Sequence, residues 1–297
     1  MEFFRNIKID FISRRKVSFI LSTLLILAGI GAMVYRGGPN WGIDFTGGAL
    51  IQLRFSRDFS TPELREILVK YGMANSSIQR FATGNRVILR TKGKDMAARQ
   101  LAEKLSQGLK EEMRDNEFVI ERNELVGPVI GKYLVKQAFL AFSLAFFAII
   151  FYVGIRFKGG IWGVAGVIAL IHDVFIVLGL LTILNREITL TVIAALLTLA
   201  GYSINDTIVI YDRIRENLKI FFKQPLLEVF NNSINQTLSR TVVTSLTTLL
   251  VVVILFFFGG TVIHDFSLAL VLGVLVGTYS SVFVASPIVY EAKLRQK

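Results

Sequence analysis

Six apolar runs leave this chain few folds to choose from. They lie at Val17–Tyr35, Gln137–Ile155, Ile161–Leu184, Thr189–Ile210, Ser239–Phe258 (apolar from Thr241) and Phe266–Tyr290. About 20 residues at 1.5 Å rise cross a hydrocarbon core of roughly 30 Å. In lipid every backbone polar group must be satisfied internally, so runs of this length become helices. A soluble domain seldom carries 53% hydrophobic residues and 24 Phe in 297. The chain therefore reads as a polytopic α-helical membrane protein with six transmembrane helices.

The net charge of +11 could suggest nucleic acid, but its distribution argues against that partner. Arg14, Arg15 and Lys16 precede the first span, and Arg156 and Lys158 separate the second and third. Arg213, Arg215, Lys219 and Lys223 follow the fourth, and Lys293 and Arg295 follow the sixth. The turns at Asn185–Glu187 and Gly259–Asp265 are nearly free of basic residues. This alternation is the positive-inside pattern, and it sets both termini in the cytoplasm. Residues 1–16 and 291–297 are then cytoplasmic ends, and 211–238 is a cytoplasmic loop. The first apolar run is long for a cleaved leader, so it reads as a retained anchor. Absence of cysteine excludes thiolate chemistry. His172 and His264 are too few and too scattered for a metal cluster.

Residues 36–134 have ordinary soluble composition. Ala49–Phe55 alternates like a strand, and Thr61–Tyr71 reads as a helix with Pro62 in its first turn. Ser77–Phe81 and Arg86–Arg90 are strands joined at Gly84-Asn85, a hairpin signal. Asp95–Arg114 is an amphipathic helix with Ala98, Leu101, Leu105 and Leu109 at helical spacing, and Glu117–Leu125 is a last strand. The order β-α-β-β-α-β predicts a ferredoxin-like α+β domain inserted after the first helix, facing the periplasm or cell exterior. It carries no phosphate loop or Ser/His/Asp set, so the chain reads as non-enzymatic, with no cofactor. Asp44 lies among glycines just beyond the first span, where a turn-capping role competes with a functional one.

The polar groups inside the spans carry the functional signal. Asn205-Asp206 lies within the fourth run, and a carboxylate near the bilayer centre is disfavoured by roughly 2.5–3.5 kcal/mol on insertion scales. Such a group faces a bundle interior or a water path and needs a partner. Arg240, at the start of the fifth span, reaches a similar depth. Burial favours the neutral carboxyl while a nearby guanidinium favours the carboxylate. A site pulled both ways suits a proton relay, and a static pair fixing helix packing is the competing reading. Ser203, Thr207, Thr241, Thr244, Ser245, Thr247 and Thr248 form either a water-accessible stripe or ordinary interhelical hydrogen bonds. His172-Asp173 is a second relay candidate or a structural pair. Asp212 and Arg213 leave the membrane among alternating charges, as a surface feature would. Gly273 and Gly277 have the GxxxG spacing of close helix packing.

Several segments together resemble the SecF family of the resistance-nodulation-division superfamily. They are Asn40–Gly48, Val126–Pro128, Tyr152–Phe157, Ala169–Asp173, Gly201–Glu216, Gln236–Ser245 and Phe266–Pro287. The resemblance implies pairing with SecD in a twelve-span bundle and association with the SecYEG channel, with YidC as a further neighbour. It also implies use of the proton gradient to draw preproteins out on the periplasmic side. In that family the Asp of the Ile-Asn-Asp-Thr motif and the Arg of the Ser-Arg-Thr motif serve proton passage, and these match Asp206 and Arg240. Three alternatives stand beside it: half of a proton-driven small-molecule or lipid exporter, a scaffold subunit without its own proton path, and an intramembrane aspartyl protease using Asp173 and Asp206. The last lacks its Gly-x-Gly-Asp motif.

Overall fold

A computed structural model describes all residues except 1–7, 75, 82–84, 93–96, 114–115, 261 and 297. The chain divides into two compact units, Met1–Asn40 with Leu140–Lys297 and Trp41–Phe139. Each has its own core.

In the smaller unit the helical turn α2 (Ile43–Thr46) follows the first span, α1 (Arg15–Tyr35). Then come β1 (Gly48–Phe55), α3 (Thr61–Lys70), β2 (Ser77–Arg80), β3 (Arg86–Lys92), α4 (Ala97–Glu112) and β4 (Phe118–Val126). The strands lie in the order β2-β3-β1-β4, and every pairing is antiparallel. That is the split βαβ arrangement the element order implies. The period-2 alternation of β1 sends Ile51, Leu53 and Phe55 to the helical face, where they bury against Leu64, Leu68, Leu105 and Leu109. Leu50 points the other way and packs with Ile88 and with Ile43 of α2. Gly84 and Asp95, expected in a turn and at a helix start, lie outside the described residues, as do the side chains of Ala98 and Leu101.

The adjoining Gly47 and Gly48 have φ of +73° and +143°, conformations that only glycine adopts without strain. They let the chain leave α2 and enter β1 at once. A Cβ on Gly131, in α5 (Pro128–Phe157), would lie 2.8 Å from the carbonyl oxygen of Phe45, so that helix packs directly on the turn.

Among the described residues six helices are long and apolar enough to cross a membrane. They are α1, α5, α6 (Gly160–Ile183), α7 (Leu190–Ile220), α8 (Leu226–Phe258) and α9 (His264–Ser280), the last continued by a π-helical turn, Ser281–Ala285, into α10 (Ser286–Leu294). In α6, α7 and the sixth span at least half of the most apolar stretch is buried within the chain, against 6–17% in α1, α5 and α8. The first group is the inner bundle, and the second presents most of its apolar surface outward. Glycines set the tightest crossings. A Cβ on Gly29 of α1 would lie 2.8 Å from the Cα of Gly179 on α6, one on Gly273 would lie 2.8 Å from Leu199, and one on Gly277 would lie 3.0 Å from Ser203. The Gly273/Gly277 spacing is therefore the face of α9 that meets α7.

Residues 211–238 correct one expectation. They are not a loop: α7 continues to Ile220, and α8 begins at Leu226. Ile210, Tyr211, Ile214 and Asn217 keep a buried helical face, while the charges at 212, 213, 215, 216 and 219 fall elsewhere around the helix. Mean hydropathy drops at those charges, but the amphipathic period does not. Asn217 Nδ2 donates to Ser233 Oγ and Gln236 Oε1, each at 2.9 Å, which closes the helical hairpin. The segment before α1 docks on it, with Phe11 and Ile12 N–H groups both donating to Asn231 Oδ1 at 3.0 Å.

Candidate functional site

Helix α7 turns Asp206 inward, and the carboxylate is 3% exposed. Its neighbours are hydroxyls on α8. Thr244 Oγ1 lies 3.4 Å from Oδ1, and Ser245 Oγ lies 3.3 Å from Oδ2. Ser245 in turn meets Thr278 Oγ1 of α9 at 2.7 Å. Good O–H···O bonds are about 2.7–2.8 Å long, so both contacts to Asp206 are weak. Thr244 Oγ1 is also shared with the carbonyls of Arg240 and Thr241, at 3.0 and 2.9 Å. The carboxylate is enclosed but loosely held.

Arg240 sits one turn before Thr244 on α8. Among the described residues no ion pair within 4 Å joins it to any carboxylate, and it is exposed. The expected acid and base are thus brought to the same region without contact. Tyr202, one turn before Asp206, and Thr241, one turn before Ser245, each carry a buried hydroxyl with no hydrogen-bond partner among the described residues. Buried hydroxyls of this kind are normally satisfied, often by water.

A second polar centre lies on α6. Asp173 is fully buried and is held far more tightly than Asp206. Oδ1 lies 2.9 Å from His172 Nδ1. Oδ2 accepts from Ser203 of α7 at 2.7 Å and from Ser280 of α9 at 2.8 Å. His172 Nε2 reaches Ser22 of α1 at 2.8 Å. Four spans thus meet at one carboxylate and its imidazole. The π-helical turn starts just past Ser280. There Ser281 Oγ meets Thr207 Oγ1 at 2.9 Å, and Ser286 Oγ donates to the Ser281 carbonyl at 2.8 Å. A π-turn inside a helix often marks a functional segment.

The remaining candidates lie elsewhere. Asn205 is exposed on α7. Asp212 pairs with Arg156 at 3.0 Å and Arg213 with Glu216 at 2.8 Å, on the extension of α7. Asp44 belongs to the α+β unit, in the first turn of α2, where free N–H groups favour a carboxylate.

The family model "Protein export membrane protein SecD/SecF, C-terminal" matches residues 106–295, and "SecD/SecF GG Motif" matches residues 37–58. Protein translocase subunit SecF of Endomicrobium trichonymphae is 44% identical over 99% of this chain and 94% of that protein. That of Thermodesulfovibrio yellowstonii is 44% identical over 95% and 93%, respectively. The chain belongs to the SecF family. The crystal structure of SecDF, a translocon-associated membrane protein from Thermus thermophilus, superposes with a TM-score of 0.86 at 38% identity, covering 98% of this chain and 39% of that one. A second SecDF structure, the super-membrane-facing form, gives 0.72 at 37% identity over 99% and 40%. The chain thus spans about two fifths of those SecDF polypeptides.

The segment matched by the SecD/SecF motif contains Gly37-Gly38 and Gly47-Gly48, and the backbone geometry of the second pair joins α2 to β1. Sequence reasoning reached Asp206, Arg240, His172 and Asp173, but it missed Ser22, Thr278, Tyr279 and Ser280. Ser22 is one of two serines, with Ser18, in a mostly apolar run. Tyr279-Ser280-Ser281 is a polar cluster in the sixth span that the apolar count absorbed.

Proposed function

We propose that this chain is the SecF half of a proton-driven accessory machine for protein export in the bacterial inner membrane. It pairs with SecD, works beside SecYEG and YidC, and acts on preproteins emerging at the periplasmic face. Asp206 carries the proton and Arg240 sets its charge state, with Asn205, Tyr202 and Thr241 as polar neighbours. Both termini lie in the cytoplasm, following the placement of Lys and Arg, and the α+β domain lies in the periplasm. No covalent chemistry is assigned to the chain.

The observation that carries this reading is the loose hold on Asp206. Its contacts of 3.3 and 3.4 Å cost little to exchange, unlike the tight set around Asp173. Protonation removes the attraction to Arg240 and shifts α8 relative to α7. One charge crossing 100 mV is worth about 2.3 kcal/mol, enough for a few protons to bias a domain motion with a gap of a few kcal/mol.

The test is gradient-dependent preprotein release from membrane vesicles containing this chain and SecD, wild type against Asp206→Asn. Loss of the gradient-dependent part with normal assembly is expected, because asparagine keeps the volume and polarity but not the proton. An unchanged rate refutes the proposal. It would leave Asp206 a packing residue and the chain a scaffold.

A further inference from the structure

Hydrogen bonds around the second polar centre constrain how many protons it holds. Tyr279 OH lies 2.9 Å from the carbonyl oxygen of Ser18. A carbonyl has no hydrogen to give, so the single phenolic hydrogen is committed there. Ser22 Oγ lies 3.2 Å from the same phenol oxygen; a hydrogen bond there has Ser22 as its donor and uses its only hydrogen. His172 Nε2 lies 2.8 Å from Ser22 Oγ. With the Ser22 hydrogen on Tyr279, that contact is completed by an Nε2–H.

The other ring nitrogen, Nδ1, lies 2.9 Å from Asp173 Oδ1 and needs one more hydrogen between them. Asp173 Oδ2 is already filled by donation from Ser203 and Ser280. On that assignment the pair holds two hydrogens, one on Nε2 and one shared between Nδ1 and Oδ1. With the shared hydrogen on nitrogen it is an imidazolium and a carboxylate; with it on oxygen, a neutral imidazole and a carboxylic acid. Both forms have zero net charge. An enclosed site needs that balance, because an unpaired buried charge is strongly disfavoured. Among the described residues no lysine or arginine bonds to the pair. Helix α1 offers it Ser22, α7 offers Ser203, and α9 offers Ser280 and the ionisable phenol of Tyr279.

We propose that His172–Asp173 is a second proton-holding site of the membrane bundle, separate from Asp206, whose proton ties α1 to α6 and α9 through Ser22. If one hydrogen leaves, the other stays on Nδ1 facing the carboxylate, and Nε2 becomes an acceptor. Ser22 must then turn its hydrogen from Tyr279 to His172, leaving two oxygens 3.2 Å apart with none between them. Helix α1 thereby reads the charge of the pair. Nothing in this assignment depends on the role of Asp206.

Solid-state NMR of the full chain in lipid bilayers, with nitrogen-15 in its histidines, tests it. The chain has two histidines, so a His264→Gln background leaves His172 alone. Near neutral pH, Nε2 is expected in the protonated class, and it stays there in Asp206→Asn. In Ser22→Ala the Nε2 resonance shifts, because its acceptor is gone. A lone-pair Nε2 in the parent protein overturns the hydrogen count. A change of protonation class in Asp206→Asn overturns the separation of the two sites, and an Nε2 signal indifferent to Ser22→Ala overturns the link to α1.

Discussion

Replacing Gly29 by alanine tests whether α1 is seated on the inner bundle as closely as the structure indicates. The added carbon would sit 2.8 Å from the Cα of Gly179, whereas carbon atoms prefer about 3.5–4.0 Å. The α1–α6 crossing must open by about 1 Å, and overpacking of this kind costs about 1–3 kcal/mol. Ser22 lies seven residues away on the same helix, and its 2.8 Å bond to His172 would stretch toward the limit of hydrogen bonding. An interhelical hydrogen bond averages about 0.6 kcal/mol in a membrane protein, so the expected total is about 2–4 kcal/mol. Gly31→Ala is the internal control, because a Cβ there meets nothing within 4 Å. It lies on the same helix, and alanine is the better helix former by about 1 kcal/mol. The assay is reversible unfolding in bicelles, with the two variants side by side. A Gly29→Ala chain no less stable than Gly31→Ala would refute the close crossing and the seating of α1 built on it.

The turn into the sheet gives a second expectation. Gly47 has φ +73° and ψ 158°, a region nearly exclusive to glycine, so Gly47→Ala is expected to destabilise the α+β unit by about 1–3 kcal/mol. Limited proteolysis of the intact chain would show it as faster cleavage in residues 41–60, and unchanged cleavage would contradict it. Asp10 supplies a pH dependence. Its carboxyl is held below the ordinary 3.8, first by Ser13 through side chain and backbone N–H and then by Asn231. A lowered folded pKa means that the unfolded segment binds protons more readily. The stabilisation is therefore complete above 3.8 and is lost as pH falls through the lower folded value. Hydrogen-exchange protection of the Phe11 and Ile12 amides is expected to fall over that acid range, and Asp10→Ala is expected to remove the dependence. The effect is small because Asp10 is exposed.

Much of the architecture is legible without coordinates because its causes are local. Apolar runs of spanning length become helices in lipid. Alternation in Ala49–Phe55 and the heptad-like spacing of Leu105 and Leu109 each report a face that must be buried, and both residue sets meet in the same core. The continuation of α7 past Ile210 was hidden because charge interrupts hydropathy without interrupting helix. The amphipathic face of Ile210, Ile214 and Asn217 shows its register once Phe230 and Ser233 are seen opposite.

What the chain by itself determined is which groups cannot rest easily in a bilayer: Asp206, Asp173 and His172 stand out against apolar neighbours whatever the fold. Only the tertiary structure decided what each one touches. Asp173 finds Ser22, Ser203 and Ser280 through His172 and its own oxygens, across separations of up to 150 residues, while Asp206 is left with two long hydroxyl contacts and an arginine beyond ion-pairing distance. A serine in a helix can always bond its own turn's carbonyl, as Ser18 and Ser233 do. Whether it serves a buried carboxylate instead depends on which helix faces meet, and that is a property of the packed bundle.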